Sequence, residues 1–214
     1  MTTFFLHETI YRDLSRAADQ LVTIAGTGAL GANLAETLVR MGLRQLRVID
    51  RDRIEAHNLS TQPWTQQDVG TAKARTLAHM PYRAVGAHVE PQQVELHSGN
   101  AAALLRGSAV IVDAFDNQAA RQAVATTSAE LALPCLHIAL GGQGDYGCGL
   151  WDAAYTPGTG GTTFDGCDYP LTRPLALLVV AAAAEVLVGY LLDGQRRGFE
   201  VTLRDLRLET VSAT

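Results

Sequence analysis

At 214 residues the chain is long enough to bury a real core without disulfide or metal staples. A formal net charge of -5, with no basic run interleaved with aromatics, argues against a nucleic-acid surface, so a small anionic ligand has to be held by local groups. The cysteines are Cys135, Cys148 and Cys167, an odd number without C-x-x-C spacing, which suits a reducing compartment and excludes a four-thiolate zinc site. Six scattered histidines show no H-x-x-E-H pattern or paired metal spacing and read as surface or core histidines.

The N-terminus, MTTFFLHETIYRD, has a brief apolar patch and no cationic start, unlike a signal peptide. His7 to Gln20 has the mixed texture of a helical turn, giving a short N-terminal segment over 1–20. Leu21 to Ala25 then reads as a buried strand, followed by Gly26, Gly28 and Gly31 at G-x-G-x-x-G spacing. Such glycines permit a tight turn, a close approach of backbone to phosphate and close helix-strand packing. The N–H groups of Ala29, Leu30 and Gly31 open the next helix towards the anion. The turn alone leaves NAD(P), ATP, FAD or no ligand open.

Leu30 to Met41 places Leu30, Leu34, Leu38 and Met41 on one helical face, with Gly42 as its stop. Leu46 to Ile49 is a second strand ending at Asp50, where a nucleotide-binding sheet places an acid for ribose hydroxyls; a turn aspartate is the competing reading. The long polar connection from Asp52 to Gln67 precedes a helix near Ala72 to His79 carrying Lys73. A third strand within Val89 to Leu96, a short helix over Asn100 to Leu105 and a buried strand over Ala109 to Ala114 follow. That strand leads into Phe115, Asp116 and Asn117, then a helix over Gln118 to Leu131 and a strand over Pro134 to Leu140. This alternation predicts an α/β fold: a Rossmann-like, doubly wound, mainly parallel sheet with helices on both faces.

Beyond Gly141 a strand is expected through Leu150 and Trp151, then a flexible glycine-rich loop over Thr156 to Gly166 with Cys167 at its exit. Leu175 to Leu192 is nearly long enough to span a bilayer, but Glu185, its alanines and Pro174 fit a protein interface better than lipid. Glu200 to Leu208 alternates like one closing edge strand, completing a C-terminal antiparallel extension. With no repeat visible, the chain reads as a single domain over 1–214, with a nucleotide-binding core over 21–140 and an appended part over 141–214.

Five features stand in order: GTGALG, Asp50 within DRDRIEAHNLSTQ, Asn58 in the same stretch, Lys73 within GTAK, and Asp116-Asn117 within DAFDN. From Leu21 to about Leu192 this order resembles the ThiF/MoeB/HesA family, the adenylylating fold shared with ubiquitin-activating enzymes. The resemblance implies an adenylyltransferase that uses ATP and Mg²⁺ on the C-terminal carboxylate of a small ubiquitin-like or sulfur-carrier protein. It also implies a cytoplasmic homodimer bound to neither nucleic acid nor membrane. Adenylation builds negative charge on the α-phosphate and the leaving pyrophosphate, which suits these residue types. Lys73 would neutralise phosphate, Asp116 would hold Mg²⁺ through a hard oxygen beside Asn117, and Asp50 and Asp52 would line the nucleotide. Asn58 would orient phosphate or the incoming carboxylate, and Cys167 matches a family cysteine on a crossover loop.

Departures accompany the matches. Thr61 stands where the family has arginine, His57 replaces a serine, Ala29 replaces the middle glycine, and the paired C-x-x-C zinc site common in the family is absent, so no structural zinc is expected. Arg51, Arg53, or Arg12 or Arg16 from a partner subunit are the expected substitutes for the missing cation. Arg121 is either a further site residue or an ordinary surface arginine. The alternatives are a catalytically reduced relative that binds nucleotide or a ubiquitin-like protein without turnover, and an NAD-dependent oxidoreductase needing neither Lys73 nor Asp116.

Overall fold

The computed structural model describes residues 3–152, 155 and 170–212. Its strands are β1 (Val22–Ala25), β2 (Leu46–Ile49), β3 (Val89–Gln92), β4 (Val110–Asp113), β5 (Cys135–Leu140), β6 (Tyr146–Trp151), β7 (Arg197–Thr202) and β8 (Arg207–Ser212). They form one eight-stranded sheet in the order β3-β2-β1-β4-β5-β6-β7-β8. The first five run parallel, and β6, β7 and β8 continue antiparallel. The order reverses between β1 and β4, so the carboxyl ends of β1, β2 and β4 share one edge around a topological switch point.

Strand alternation sends side chains to two cores. Val22 and Ile24 join the larger one, beneath α2 (Ala29–Met41), α3 (Lys73–Val85) and α6 (Arg173–Asp193). Ala25 and Ile111 join the smaller one, beneath α4 (Ala101–Leu105) and α5 (Gln118–Glu130). Among its described residues, the N-terminal segment supplies a 3-10 turn over Thr3–Phe5 and the short helix α1 (Leu6–Tyr11). Gly42, with φ of 114°, ends α2 by accepting the left-handed backbone that a stop requires.

Helix α6 starts at Thr172, whose hydroxyl accepts from the Leu175 N–H, and stops at Gly194 in left-handed conformation. By length and composition it would cross a membrane, but Leu175, Val179, Ala183 and Leu187 are buried in the larger core. The expected edge strand over Glu200 to Leu208 is instead a hairpin of β7 and β8, with Leu206 at φ of 54° in the turn. Alternation continued across both strands, and no glycine or proline marked the break, so sequence periodicity merged them.

Candidate functional site

The glycine turn runs from the end of β1 into α2, at the centre of the sheet's carboxyl edge. Gly26 has φ of 93°, and a Cβ there would press to 3.0 Å against Ala114 and Phe115, just past β4. A Cβ on Gly31 would lie 1.9 Å from the Gly26 carbonyl oxygen, so the helix packs on the turn only because that atom is missing. Gly28 caps α2 in extended conformation, and a Cβ there would meet nothing within 4 Å. Open space thus lies over the α2 N-terminus, which Ala29 and Leu30 begin.

Asp50, at the end of β2, is buried, and its Oδ2 accepts from the Thr27 N–H at 2.7 Å and the Thr27 hydroxyl at 2.8 Å. Its Oδ1 accepts from the Asp52 N–H at 2.8 Å. The carboxylate therefore clamps the glycine turn to the following loop, leaving about one of its four lone-pair sites for a ligand. Thr27, which sequence patterning passed over, is its partner in this clamp.

Lys73 opens α3, is 8% exposed, and points its Nζ at Asp52 Oδ2, 3.4 Å away. Its N–H donates to the Asp52 carbonyl at 3.0 Å. An amine at the edge of the interior is held there by a carboxylate that is itself half-exposed, an arrangement that a phosphate can replace. Asn58 is buried, with Oδ1 accepting from the Glu55 N–H at 2.9 Å to cap the turn over Ala56–Ser60. Next to it, Asn33 of α2 donates to the carbonyls of Ala29 (2.6 Å) and Thr61 (2.8 Å), fixing this loop against the helix N-terminus.

Three arginines named from the sequence are engaged by neighbours. Arg51 pairs with Glu95 at 2.6 Å, Arg53 donates to the Gly70 carbonyl at 2.7 Å, and Arg12 bridges Glu8 and Glu185. Arg173, unremarked in the sequence, sits in the first turn of α6 and reaches the carbonyls of Ser60 (3.5 Å) and Gln62 (3.4 Å). It therefore brackets Thr61 from a distant part of the chain. No spacing rule pairs positions 61 and 173, so only the packing of α6 against α2 reveals it.

Across the turn, Asp116 is exposed at the mouth beyond β4, and Asn117 caps α5 by accepting from the Ala120 N–H at 2.9 Å. The contacts of the turn link both flanks: Gly26 abuts Ala114 and Phe115, Thr27 holds Asp50, Asp50 holds Asp52, and Asp52 holds Lys73. Arg121 is neither a surface arginine nor a free site cation. Mostly buried, it donates to the carbonyls of Phe115 and Ile138 at 2.5 Å each and to the Tyr155 hydroxyl at 3.1 Å. Burial opposes its charge, yet Asp113 and Tyr155 hold its pKa above the ordinary arginine value. Cys167 and the loop over Thr156 to Gly166 lie outside the described residues.

A second group of charges lies behind β5 and β6. Asp113 is fully buried and accepts from His137 Nδ1 at 2.9 Å, while His137 stacks on Tyr155 with ring centroids 3.7 Å apart. Burial disfavours the imidazolium, but the Asp113 hydrogen bond and nearby Asp152 outweigh it, so the His137 pKa is raised.

Comparison with known proteins agrees with this architecture. Over 122 residues the chain is 34% identical to a sulfur carrier protein adenylyltransferase of Thermus thermophilus, covering 56% of this chain and 45% of that protein. Over 197 residues it is 29% identical to the sulfur carrier protein ThiS adenylyltransferase of Bacillus subtilis, covering 83% and 57%. The chain thus spans about half the length of these curated relatives. Escherichia coli tRNA N6-threonylcarbamoyladenosine dehydratase, solved with ATP, shares the fold at a TM-score of 0.75 and 17% identity, covering 90% of this chain and 95% of that one. Residues 4–190 match the ThiF family model, and with that span, the glycine turn and the mostly parallel sheet in agreement, the chain belongs to the ThiF family.

Proposed function

We propose that this protein uses ATP to adenylate the C-terminal carboxylate of a small ubiquitin-like or sulfur-carrier protein, releasing pyrophosphate. The observation that carries this reading is the buried Lys73 amine held by Asp52 beside a glycine turn whose Gly28 opens onto empty space. An amine so placed, with the α2 N–H groups, meets the charge that develops on the α-phosphate and its leaving group. The incoming carboxylate is already ionised near neutral pH and needs no general base. Asp50 offers its remaining acceptor site to the ribose hydroxyls. Asp116, an exposed hard-oxygen donor, fits Mg²⁺, which when bound offsets triphosphate charge. Arg173 supplies, beside Thr61, the guanidinium that the family places at position 61. The protein acts as a cytoplasmic homodimer, with exposed Ile10 and Tyr11 of α1 and Leu177 and Leu178 of α6 at the contact.

The test is ATP–pyrophosphate exchange by purified protein with Mg²⁺ and a sulfur-carrier protein ending in Gly-Gly. Exchange that collapses in Lys73→Ala and Asp116→Ala supports the assignment; exchange that survives both refutes it. Thr61 motivates a second reading, a subunit that binds ATP without turnover. Calorimetric ATP binding with no exchange in the wild type selects it, and nicotinamide binding in preference to ATP defeats both.

A further inference from the structure

The residues behind β5 and β6 are arranged as a metal-binding set. Cys135 and His137 lie two apart on β5 and so face the same side of the sheet, while antiparallel pairing of Leu136 with Trp151 brings Asp152 beside Cys135. Cys135 Sγ, His137 Nε2 and an Asp152 carboxylate oxygen lie within 4.8 Å of one another. Donors around tetrahedral zinc stand about 3.4–3.7 Å apart, given bond lengths of about 2.0–2.3 Å, so adjustments of about an ångström close the set.

Two further observations point to a ligand. His137 is 1% exposed, and among the described residues its Nε2 is the buried side-chain atom with no hydrogen-bond partner. It faces Asp152 Oδ1 at 3.6 Å, too far for a hydrogen bond and close to the separation of two ligands sharing one ion. On the other side of the ring, Nδ1 is engaged by Asp113 at 2.9 Å, the carboxylate-histidine arrangement that orients metal-binding imidazoles and leaves Nε2 to the ion. Asp152 is steadied in turn by the Cys135 N–H, which donates to Oδ2 at 2.7 Å. A cavity of about 250 Å³, lined by His137, Asp152, Tyr155 and the Gln122–Ala129 stretch of α5, opens beside these groups.

We propose that Cys135, His137 and Asp152 bind one divalent transition-metal ion, with the fourth position facing this cavity. Thiolate, imidazole and carboxylate together select zinc over the hard cations magnesium and calcium. The thiol proton leaves to solvent on binding, and the ion's charge offsets the thiolate and the two carboxylates that crowd it. None of these three ligands is among the residues assigned to the nucleotide, and the proposal does not depend on the adenylation reading. It runs against the expectation of no structural zinc, which rested on ligand spacings along the sequence that a strand and its hairpin partner do not need.

The test uses the full chain, stripped of metal with EDTA and titrated with Zn²⁺ against a chromophoric chelator, then with Co²⁺. The expected results are one equivalent of Zn²⁺ and a Co²⁺ spectrum with tetrahedral visible bands and a thiolate-to-cobalt charge-transfer band. Cys135→Ser removes that band, His137→Gln weakens zinc binding by about a hundredfold or more, and Asp113→Asn weakens it about 10–100-fold. Circular dichroism establishes that each variant is folded, and the wild-type cobalt spectrum requires no variant. Absence of stoichiometric binding, a charge-transfer band that persists in Cys135→Ser, or unchanged affinity in His137→Gln overturns the proposal.

Discussion

The carboxyl edge of the sheet and the nest behind β5 and β6 both concentrate charge, but they stand in opposite relations to water. At the edge, Lys73 is buried while its partner Asp52 and Asp116, beyond the end of β4, remain open to solvent, and the space over Gly28 is clear. The Lys73–Asp52 pair is therefore solvated on one side and exchangeable, and its electrostatic strength is realised when a ligand displaces water. In the nest, Asp113, His137 and Arg121 lost most of their water when the chain folded; Asp113 pairs with both cations' side chains, and Arg121 is held further by the carbonyls of Phe115 and Ile138. Charges of the first kind are suited to catalysis and those of the second govern stability.

The sharpest way to break this contrast is to remove one charge from each region. Asp113→Ala leaves His137 and Arg121 without their shared carboxylate, and is expected to destabilise the fold by about 3–5 kcal/mol in urea denaturation, with a change below 1 kcal/mol counting against the nest. Lys73→Ala is expected to reduce pyrophosphate exchange by about 100–1000-fold, as loss of a charge-stabilising group does. Because its pair is solvated, the same variant should change stability by less than about 1 kcal/mol. If Lys73→Ala unfolds the protein while Asp113→Ala does not, the two regions have been assigned in reverse.

Two glycines sharpen the edge itself. Gly31→Ala forces a Cβ to within 1.9 Å of a backbone oxygen, and is expected to destabilise by about 1–3 kcal/mol as well as to abolish ATP binding. Gly28→Ala meets no protein atom, so the melting temperature should barely move while ATP affinity falls, because the new methyl enters the space proposed for phosphate. Equal effects on stability would show that the clear space above Gly28 is not a ligand's place.

How much of this was legible in the sequence follows the same division. The edge is built from contiguous motifs, so the glycine turn, Asp50, Lys73 and Asp116 were readable in order. The helix stop at Gly42 and the N-terminal location of Pro174 in α6 were also readable. At Asp50 the sequence leaves a ribose ligand and a turn residue both open, and the structure adds bonds from the Thr27 N–H and hydroxyl that no motif announces. Arg173 was invisible because tertiary packing of α6, not spacing, carries it to Thr61. The nest was invisible for a related reason: Asp113 ends β4, His137 lies on β5 and Asp152 follows β6, and only the register of these three strands aligns them. Of the final hairpin, the sequence showed alternation but not the turn, since Leu206 is an unusual residue for positive φ.

The smallest effect separates two neighbours whose roles the sequence left entangled. Asp116 and Asn117 together look like a helix-capping pair, yet the cap is made by Asn117 alone, whose Oδ1 accepts from the Ala120 N–H. Asn117→Ala is therefore expected to cost about 1 kcal/mol of stability, the usual loss when an N-cap side chain is deleted. Asp116→Ala removes an exposed carboxylate that makes no such bond, so stability should stay within about 0.5 kcal/mol while exchange activity and its Mg²⁺ dependence are lost. Measured side by side by thermal melts and pyrophosphate exchange, the pair separates a residue that holds α5 in place from one that faces the ligand. Were Asp116→Ala instead to melt the protein and leave exchange intact, the carboxylate would belong to the helix and the metal would have to be held elsewhere along the edge.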